Sequence, residues 1–344
     1  MRGRTVADLG ELEVIRLFKK LWRPKKPILQ EYDDAWAFKI GRTYVTVSTD
    51  TLVEGTDVPP DMTYELAARK AVVMSSSDVA SKGHAPTYHL ASIGVRSSTT
   101  SREIKGIVAG IRSGISECGG ELTGGDTNET HELTVSMTTL GISRTRPIPR
   151  ILGEEGDVVA TTGKFGGPPS GLLILLGKAT CPKKHRRELV DAALRPRAHV
   201  KAGVSLAEAA VLSGSTDSSD GLSASLHNMI YNCDRGAVLE QIPYVDGLED
   251  FAAENGLDPF DLALNGGEEY SLVLSVNRTR WKEALHIAES EGFELNRLGR
   301  VVRTRGLWVL DRDGNARVVP RGGWSHFEKK EVRRTKWAPG RALR

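Results

Sequence analysis

Six segments of the chain set carboxylates among glycine, serine and threonine. They are Tyr32-Asp33-Asp34-Ala35, Ser48-Thr49-Asp50-Thr51, Ser76-Ser77-Asp78, Gly124-Gly125-Asp126-Thr127, Thr216-Asp217-Ser218-Ser219-Asp220-Gly221 and Asn265-Gly266-Gly267-Glu268-Glu269-Tyr270. Small neighbours let a ligand approach the backbone, and hydroxyls add hard oxygen donors beside the carboxylates. That donor set suits Mg²⁺, which prefers carboxylate, carbonyl, hydroxyl and water oxygens and bridges protein carboxylates to substrate phosphates. If several of these loops converge, their like charges cannot all stay ionised cheaply, so two or more divalent ions are the natural occupant. Taken singly, such a segment is more often a turn or a cap than a ligand: Asp220 can serve as the cap of the helix after it, and Asp126 as the close of a turn. Six in one chain argue for a shared ligand, with Asp50, Asp78, Asp126 and Asp220 as its core.

Neither Gly-x-x-x-x-Gly-Lys-Ser/Thr nor Gly-x-Gly-x-x-Gly occurs. The loop Thr162-Gly163-Lys164-Phe165-Gly166-Gly167-Pro168-Pro169-Ser170-Gly171 opens a helix and offers amides to a phosphate, although turn geometry explains it equally well.

The elements that must hold these residues follow from periodicity. Leu9, Leu12, Ile15, Leu17, Phe18 and Leu21 recur at helical spacing over about 8–22, and Pro24 stops that helix. The β-branched and aromatic run 44–49 predicts a strand that delivers Asp50 at its end. A helix from Thr63 runs to Ala80 and ends at Gly83, with Asp78 in its last turn. The capping box Thr100-Ser-Arg-Glu103 starts another, and Leu133-Thr-Val135-Ser-Met137-Thr marks a strand with one buried face. Ser143-Arg-Thr-Arg-Pro-Ile-Pro-Arg150 separates that strand from the next, 157–161, and sets the expected domains at 1–147 and 148–344. Beyond it, helices near 170–177, 184–194, 199–213 and 221–231 alternate with strands near 236–240, 270–276, 297–303 and 306–310, and Asp311-Arg-Asp313-Gly314 turns a terminal hairpin. The pattern is α+β, a mixed α/β chain of two domains without repeats.

With 39% hydrophobic and 26% charged residues and no apolar run long enough to span a bilayer, the chain reads as a soluble protein without membrane contact, expected in the cytoplasm. Three scattered cysteines, Cys118, Cys181 and Cys233, suggest neither a disulfide framework nor a zinc site. Basic residues gather at the two ends, Arg2, Arg4, Lys19, Lys20, Arg23, Lys25 and Lys26, then Lys329, Lys330, Arg333, Arg334, Lys336, Arg341 and Arg344. Without an aromatic platform or binding motif they read as solvated termini rather than a nucleic-acid surface.

Taken in order, the segments resemble those of the thiamine-monophosphate kinase family, in the superfamily that includes aminoimidazole ribonucleotide synthetase. The resemblance spans nearly the whole chain. It rests on Ser48-Thr-Asp-Thr-Leu-Val-Glu-Gly55, Ala68-Arg-Lys-Ala71 with Ser77-Asp78, Gly124-Gly-Asp-Thr127, Asp217-Ser-Ser-Asp-Gly-Leu222, Gly266-Gly-Glu-Glu-Tyr270 and Gly323-Trp-Ser-His-Phe327. It implies an amino-terminal sheet-and-helix domain that pairs in a homodimer, a carboxy-terminal α/β sandwich domain, and transfer of a phosphoryl group from ATP to thiamine monophosphate with several Mg²⁺ ions. The implied metal ligands are Asp34, Ser48, Thr49, Asp50, Asp78, Asp126, Asp217 and Asp220. The implied ATP contacts are Gly125, Asp126, Arg150 and Ser219, with Asp220, Asp126 and Arg150 as the catalytic set. The implied acceptor contacts are Asp57, Glu268 and Trp324. The chain departs from the family at Tyr32, where Gly is usual, and at Asp57, where His is common. Two other readings stay open: an ATP-dependent enzyme of the same superfamily with a different acceptor, and a non-catalytic nucleotide-binding relative.

Overall fold

The computed structural model describes residues 5–21, 27–311, 313–325 and 327. Pro24, His326, most of the amino-terminal basic residues and those from Lys329 onward fall outside that set. The helix expected over 8–22 is two, α1 (Val6–Leu9) and α2 (Glu11–Lys19). Gly10 divides them at φ 72°, a backbone state that glycine adopts without a Cβ clash.

The first sheet is built from β1 (Trp36–Ile40), β2 (Thr43–Val53), β3 (Pro86–Val95), β4 (Glu121–Glu129) and β5 (Thr134–Ser143) in the order β1-β2-β5-β3-β4. The short α3 (Glu54–Asp57) follows β2, and α4 (Tyr64–Ser81) and α5 (Ser101–Cys118) cover one face of the sheet. Both long helices start as the sequence prescribes: Thr63 accepts the Leu66 amide at 3.3 Å, and Thr100 and Glu103 complete a capping box. Gly83, at φ 80°, ends α4 one residue past its cap. Leu52, Ala68, Val72, Ile107, Val135 and Met137 form the core beneath them.

Two expectations change here. Asp50 is interior to β2, not at its end, because Thr51, Leu52 and Val53 prolong the β-forming run and pair with β5 as far as Val53↔Thr134. Gly124-Gly125-Asp126 is not a turn but part of β4, parallel to β3 with Ala91 opposite Gly125 and Ser92 opposite Asp126. Glycine is required at 125, where a Cβ would sit 1.9 Å from the Ala91 carbonyl oxygen.

The second half contains β6 (Val158–Thr161), α6 (Gly167–Leu175), α7 (Lys183–Leu194), α8 (Val200–Glu208), β7 (Leu212–Asp217), α9 (Leu222–Tyr231) and β8 (Gly236–Leu239). It continues through α10 (Leu248–Asn255), α11 (Pro259–Asn265), β9 (Leu272–Val276), α12 (Trp281–Glu291), β10 (Asn296–Val302), β11 (Leu307–Leu310) and β12 (Ala316–Val318). Its sheet runs β12-β11-β8-β10-β6-β9-β7. Cores on both faces, one around Leu222, Leu226 and Val273 and one around Leu206, Leu274 and Val276, keep β6 and β9 buried along their whole length. The helix expected over 199–213 stops at Glu208: Ala210, at φ 54°, breaks it, and β7 then pairs with β9 and carries Asp217 at its end. The terminal hairpin forms as expected, with Leu310 opposite Ala316. The fold is thus mixed α/β with two sheets, as the element pattern predicts.

Candidate functional site

Helix α4 brings the acidic segments together. Its core residues pack under the first sheet, while its last turns face β7, so Ser77 Oγ donates to Asp217 Oδ2 at 2.7 Å across the two halves. Close approach by α8 holds the geometry, since a Cβ on Gly203 would lie 2.2 Å from the Ala80 carbonyl oxygen. Asp34, Asp78 and Asp217 then offer carboxylate oxygens that all lie within 4.8 Å of one another. Ser48 Oγ donates to Asp78 Oδ2 at 2.5 Å, and Asp50 approaches Asp78 from the same face of β2. Arg150 closes one side through Nη1 to Asp34 Oδ1 at 2.9 Å.

Charge compensation within this cluster is uneven. Burial alone would raise the Asp34 carboxyl, but the Lys82 ammonium and the Arg150 guanidinium outweigh it and hold the group at about 2. Burial, then the charges of Asp34, Asp50 and Asp220, push Asp217 up to about 8 against the Ser77 hydrogen bond. Burial and the charges of Asp50, Asp217 and Asp34 raise Asp78 well above the usual carboxylate range, and burial raises Asp50. Among the described residues no lysine or arginine pairs with Asp50, Asp78 or Asp217, so the three share a surplus of negative charge. Among the described residues, Ser218 Oγ, fully buried beside Asp217, has no hydrogen-bond partner. Hard oxygen donors, surplus negative charge and an orphaned hydroxyl fit a divalent cation such as Mg²⁺.

A second group of segments borders this cluster. Glu268 N donates to Ser219 O at 2.6 Å, Tyr270 N to Ser218 O at 3.0 Å, and Trp324 N to Asp220 O at 2.9 Å, so 217–222, 266–270 and 322–324 run side by side. Trp324 stays 47% exposed, and Glu268 pairs with the buried Lys70. Non-glycine residues at positive φ flank the cluster, Glu268 at 65°, Tyr270 at 52° and Tyr32 at 62°. The value at Tyr32 accounts for glycine being usual there.

Not every expected residue joins the cluster. Strand alternation turns Ser48, Asp50 and Leu52 inward, whereas Thr49 faces outward, bonded to Thr138 at 2.8 Å. Asp126, opposite Ser92 on β4, also faces outward and lies three strands from Asp50, about 14 Å at the usual strand spacing. Asp57 turns its carboxylate to local groups, accepting from Val53 N at 2.7 Å and Thr56 Oγ1 at 3.1 Å. The glycine-rich loop at 163–171 directs its amides to protein rather than to open space, with Gly166 N donating to the buried Glu269 carboxylate at 2.6 Å. A groove of about 750 Å³ lies along α5, β3 and β4, lined by Ile111, Arg112, Ile115, Leu122, Gly125 and Asp126.

Comparison with known proteins gives the lineage. AIR synthase related protein, N-terminal domain, matches residues 32–143, and the corresponding C-terminal domain matches residues 154–310. A thiamine-monophosphate kinase from Nitrosopumilus maritimus is 34% identical over 94% of this chain and 100% of its own length. The chain belongs to the thiamine-monophosphate kinase family. Another member, from Pyrococcus horikoshii, is 31% identical over 94% of this chain and 98% of its own. A solved structure described as AaThiL complexed with AMPPCP and TMP shares the fold, with a TM-score of 0.83 at 24% identity over 95% of this chain and all of the other. The family is one of phosphotransferases.

Three residues of this family member escaped the sequence reading. Lys82 is fully buried and reaches Asp33 Oδ1 at 2.5 Å, Asp34 Oδ2 at 2.8 Å and Ser215 O at 3.0 Å. Its partners lie far away in sequence, so no local pattern marks it. Lys70 stood inside Ala68-Arg-Lys-Ala71, and its burial within the central turns of α4 was the available signal. Thr216, which donates to Asp34 Oδ1 at 2.9 Å, sat beside Asp217 in a quoted segment.

Proposed function

We propose that the chain phosphorylates thiamine monophosphate to thiamine diphosphate with ATP, by direct in-line transfer and without a phosphorylated enzyme. The observation that carries the reading is the convergence of Asp34, Asp78 and Asp217 within 4.8 Å, with Arg150 on their rim. A phosphate oxygen of the acceptor bonds to the γ-phosphorus as the bond to ADP breaks, and ADP leaves. The acceptor phosphate is already ionised, so no side chain has to remove a proton. Asp34, Asp50, Asp78, Asp217 and Asp220, with Ser48, would hold Mg²⁺, and the bound ion would neutralise phosphate charge. Arg150 orients phosphate oxygens, and Ser219 and Gly125 bring backbone close to the nucleotide.

Trp324 presents a flat, half-exposed face to the cationic acceptor ring, and Glu268, steadied by Lys70, presents a carboxylate beside it. Asp57 spends its carboxylate on Val53 and Thr56, so its part is to shape the rim rather than to face a phosphate. The domains divide at 147/148, and two copies pair through the outer face of the first sheet. Trp36, Phe38, Tyr88, Leu90 and Ile142 remain exposed on that face. A second copy there would cover Thr49 and Asp126, which one chain leaves outward, and would let Asp126 take part in a nucleotide site. The compartment is the cytoplasm.

ADP release with Mg²⁺-ATP and thiamine monophosphate, set against other phosphorylated acceptors, tests the activity. Equal rates without the acceptor, or preference for another one, would reject the assignment. Trp324→Ala is expected to raise the KM for thiamine monophosphate about tenfold with kcat nearly kept, the loss of a cation–π and stacking contact. An unchanged KM would make Trp324 structural.

A further inference from the structure

Lys82 is fully buried and makes three hydrogen bonds, to Asp33 Oδ1, Asp34 Oδ2 and Ser215 O. An ammonium has three hydrogens, so none is left for a substrate. Its partners are equally committed. Asp34 Oδ1 accepts from Arg150 Nη1 and Thr216 Oγ1, and Asp34 Oδ2 from Lys82, while the single Ser81 hydroxyl hydrogen lies nearer the Asp78 carbonyl at 2.7 Å than Asp34 Oδ2 at 3.1 Å. Each carboxylate oxygen offers about two acceptor sites, so two cations and a hydroxyl occupy most of what Asp34 offers. Asp33 accepts from Lys82 and the Asp34 amide through Oδ1 and from the Arg150 amide through Oδ2. Two carboxylates and two cations, Lys82 and Arg150, thus close on themselves with no net charge.

The other half of the cluster differs. Asp78 accepts from Ser48 through Oδ2 and Asp217 from Ser77 through Oδ2, and these are hydroxyls without charge. Asp50 joins them from β2 beside Asp78, and no ion pair to it forms among the described residues.

We propose that the Lys82 ammonium is a built-in cation of the cage, standing where a divalent ion would otherwise neutralise Asp33 and Asp34, so that metal is directed to Asp50, Asp78 and Asp217. This rests on the metal-binding reading above and refines it: Asp34 is an anchor for Lys82 and Arg150, and the cage takes one ion fewer than its carboxylates suggest. Lys82 is a positioning residue. It never reaches the reacting phosphates, but it fixes which oxygens remain open to metal.

Lys82→Met keeps an unbranched side chain, one atom shorter, and removes the charge. Counting Mn²⁺ bound by the full chain, through the loss of the free-ion paramagnetic resonance signal, separates the outcomes. The variant is expected to bind one more Mn²⁺ than the unaltered chain. Its melting temperature, lowered in EDTA, is expected to return toward the unaltered value with Mn²⁺, because a divalent ion can enter the place the ammonium left. The same Mn²⁺ count, or an instability that Mn²⁺ does not relieve, overturns the proposal and makes Lys82 a structural ion pair. If Lys82→Met is folded only in Mn²⁺, that is the supporting result in its strongest form. Asp33→Asn, which leaves Lys82 on Asp34, is expected to keep the unaltered count. An unaltered chain that binds no Mn²⁺ would instead sink the metal-binding reading itself, a distinct failure.

Discussion

Replacing Asp217 by Asn should make the metal-free protein more stable and remove its response to metal. Asp217 is one of three clustered carboxylates without a fixed cation, and burial together with neighbouring charges moves it from 3.8 to about 8. For an acid raised on folding, the stabilising state is the protonated one. Stability is fully present below the unfolded value of 3.8 and is lost as pH rises toward about 8. At about pH 7 the unfolded chain has released the proton and the folded chain has not, an interval of roughly 3 units worth about 4 kcal/mol at about 1.4 kcal/mol each. Asp50 and Asp78 share the same protons, which halves the expectation to about 2 kcal/mol. Asn carries no such proton, and its carbonyl oxygen still accepts the Ser77 hydroxyl. Calorimetry or urea unfolding in EDTA, from about pH 5 to 8.5, should show the variant gaining over the unaltered protein as pH rises, with the two converging in acid. Added Mg²⁺ should stabilise the unaltered protein, most at high pH where its ligands are ionised, and leave the variant nearly unchanged. A variant that is less stable in EDTA at high pH, or that keeps the full Mg²⁺ response, would refute the reasoning.

Three further outcomes are expected. Glu269, raised from 4.5 to about 8 by burial against the Gly166 and Gly167 amides, costs stability as pH climbs through that window, so Glu269→Gln should flatten the pH dependence of unfolding there, and an unchanged slope would discount the group. Gly125→Ala drives a Cβ to 1.9 Å from the Ala91 carbonyl oxygen and should cost about 3 kcal/mol in urea unfolding along with nucleotide affinity; a variant of normal stability would place β4 elsewhere. Leu90→Glu, at an exposed position of the outer sheet face, should convert a dimer to monomer in sedimentation without lowering the melting temperature of the monomer, and a persistent dimer would move the interface off this sheet.

Local rules were enough for much of the frame. Caps at Thr63 and Thr100 and the stop at Gly83 are encoded within a few residues, and α4 and α5 begin and end where these say. What the sequence hid is long-range. Gly124-Gly125 reads as a turn in isolation and is a strand only because β3 supplies a partner with Ala91 against Gly125. Helices α10, α11 and α12 and strands β1 and β3 went unread. The site was legible as a list of acidic segments, because the small residues around them are local. Its division was not. Which face of a strand Asp50 and Asp126 occupy depends on pairing register, and the charge pairing of Asp34 depends on Lys82 and Arg150, 48 and 116 positions along the chain.

Helix α4 has a consequence for how fast the protein can work. Arg69 bonds to the Pro196 carbonyl, Lys70 to Glu268, Ser77 to Asp217 and Lys82 to Ser215, four polar ties from this helix and its capping residue into the second half. A clamshell opening would have to break all of them together, leaving several charges uncompensated in the interior. The two halves are therefore held as one unit through the catalytic cycle, and loops and side chains are what must move to admit and release substrate. Solvent viscosity, which drags on large bodies, should weigh little on the rate of each catalytic cycle.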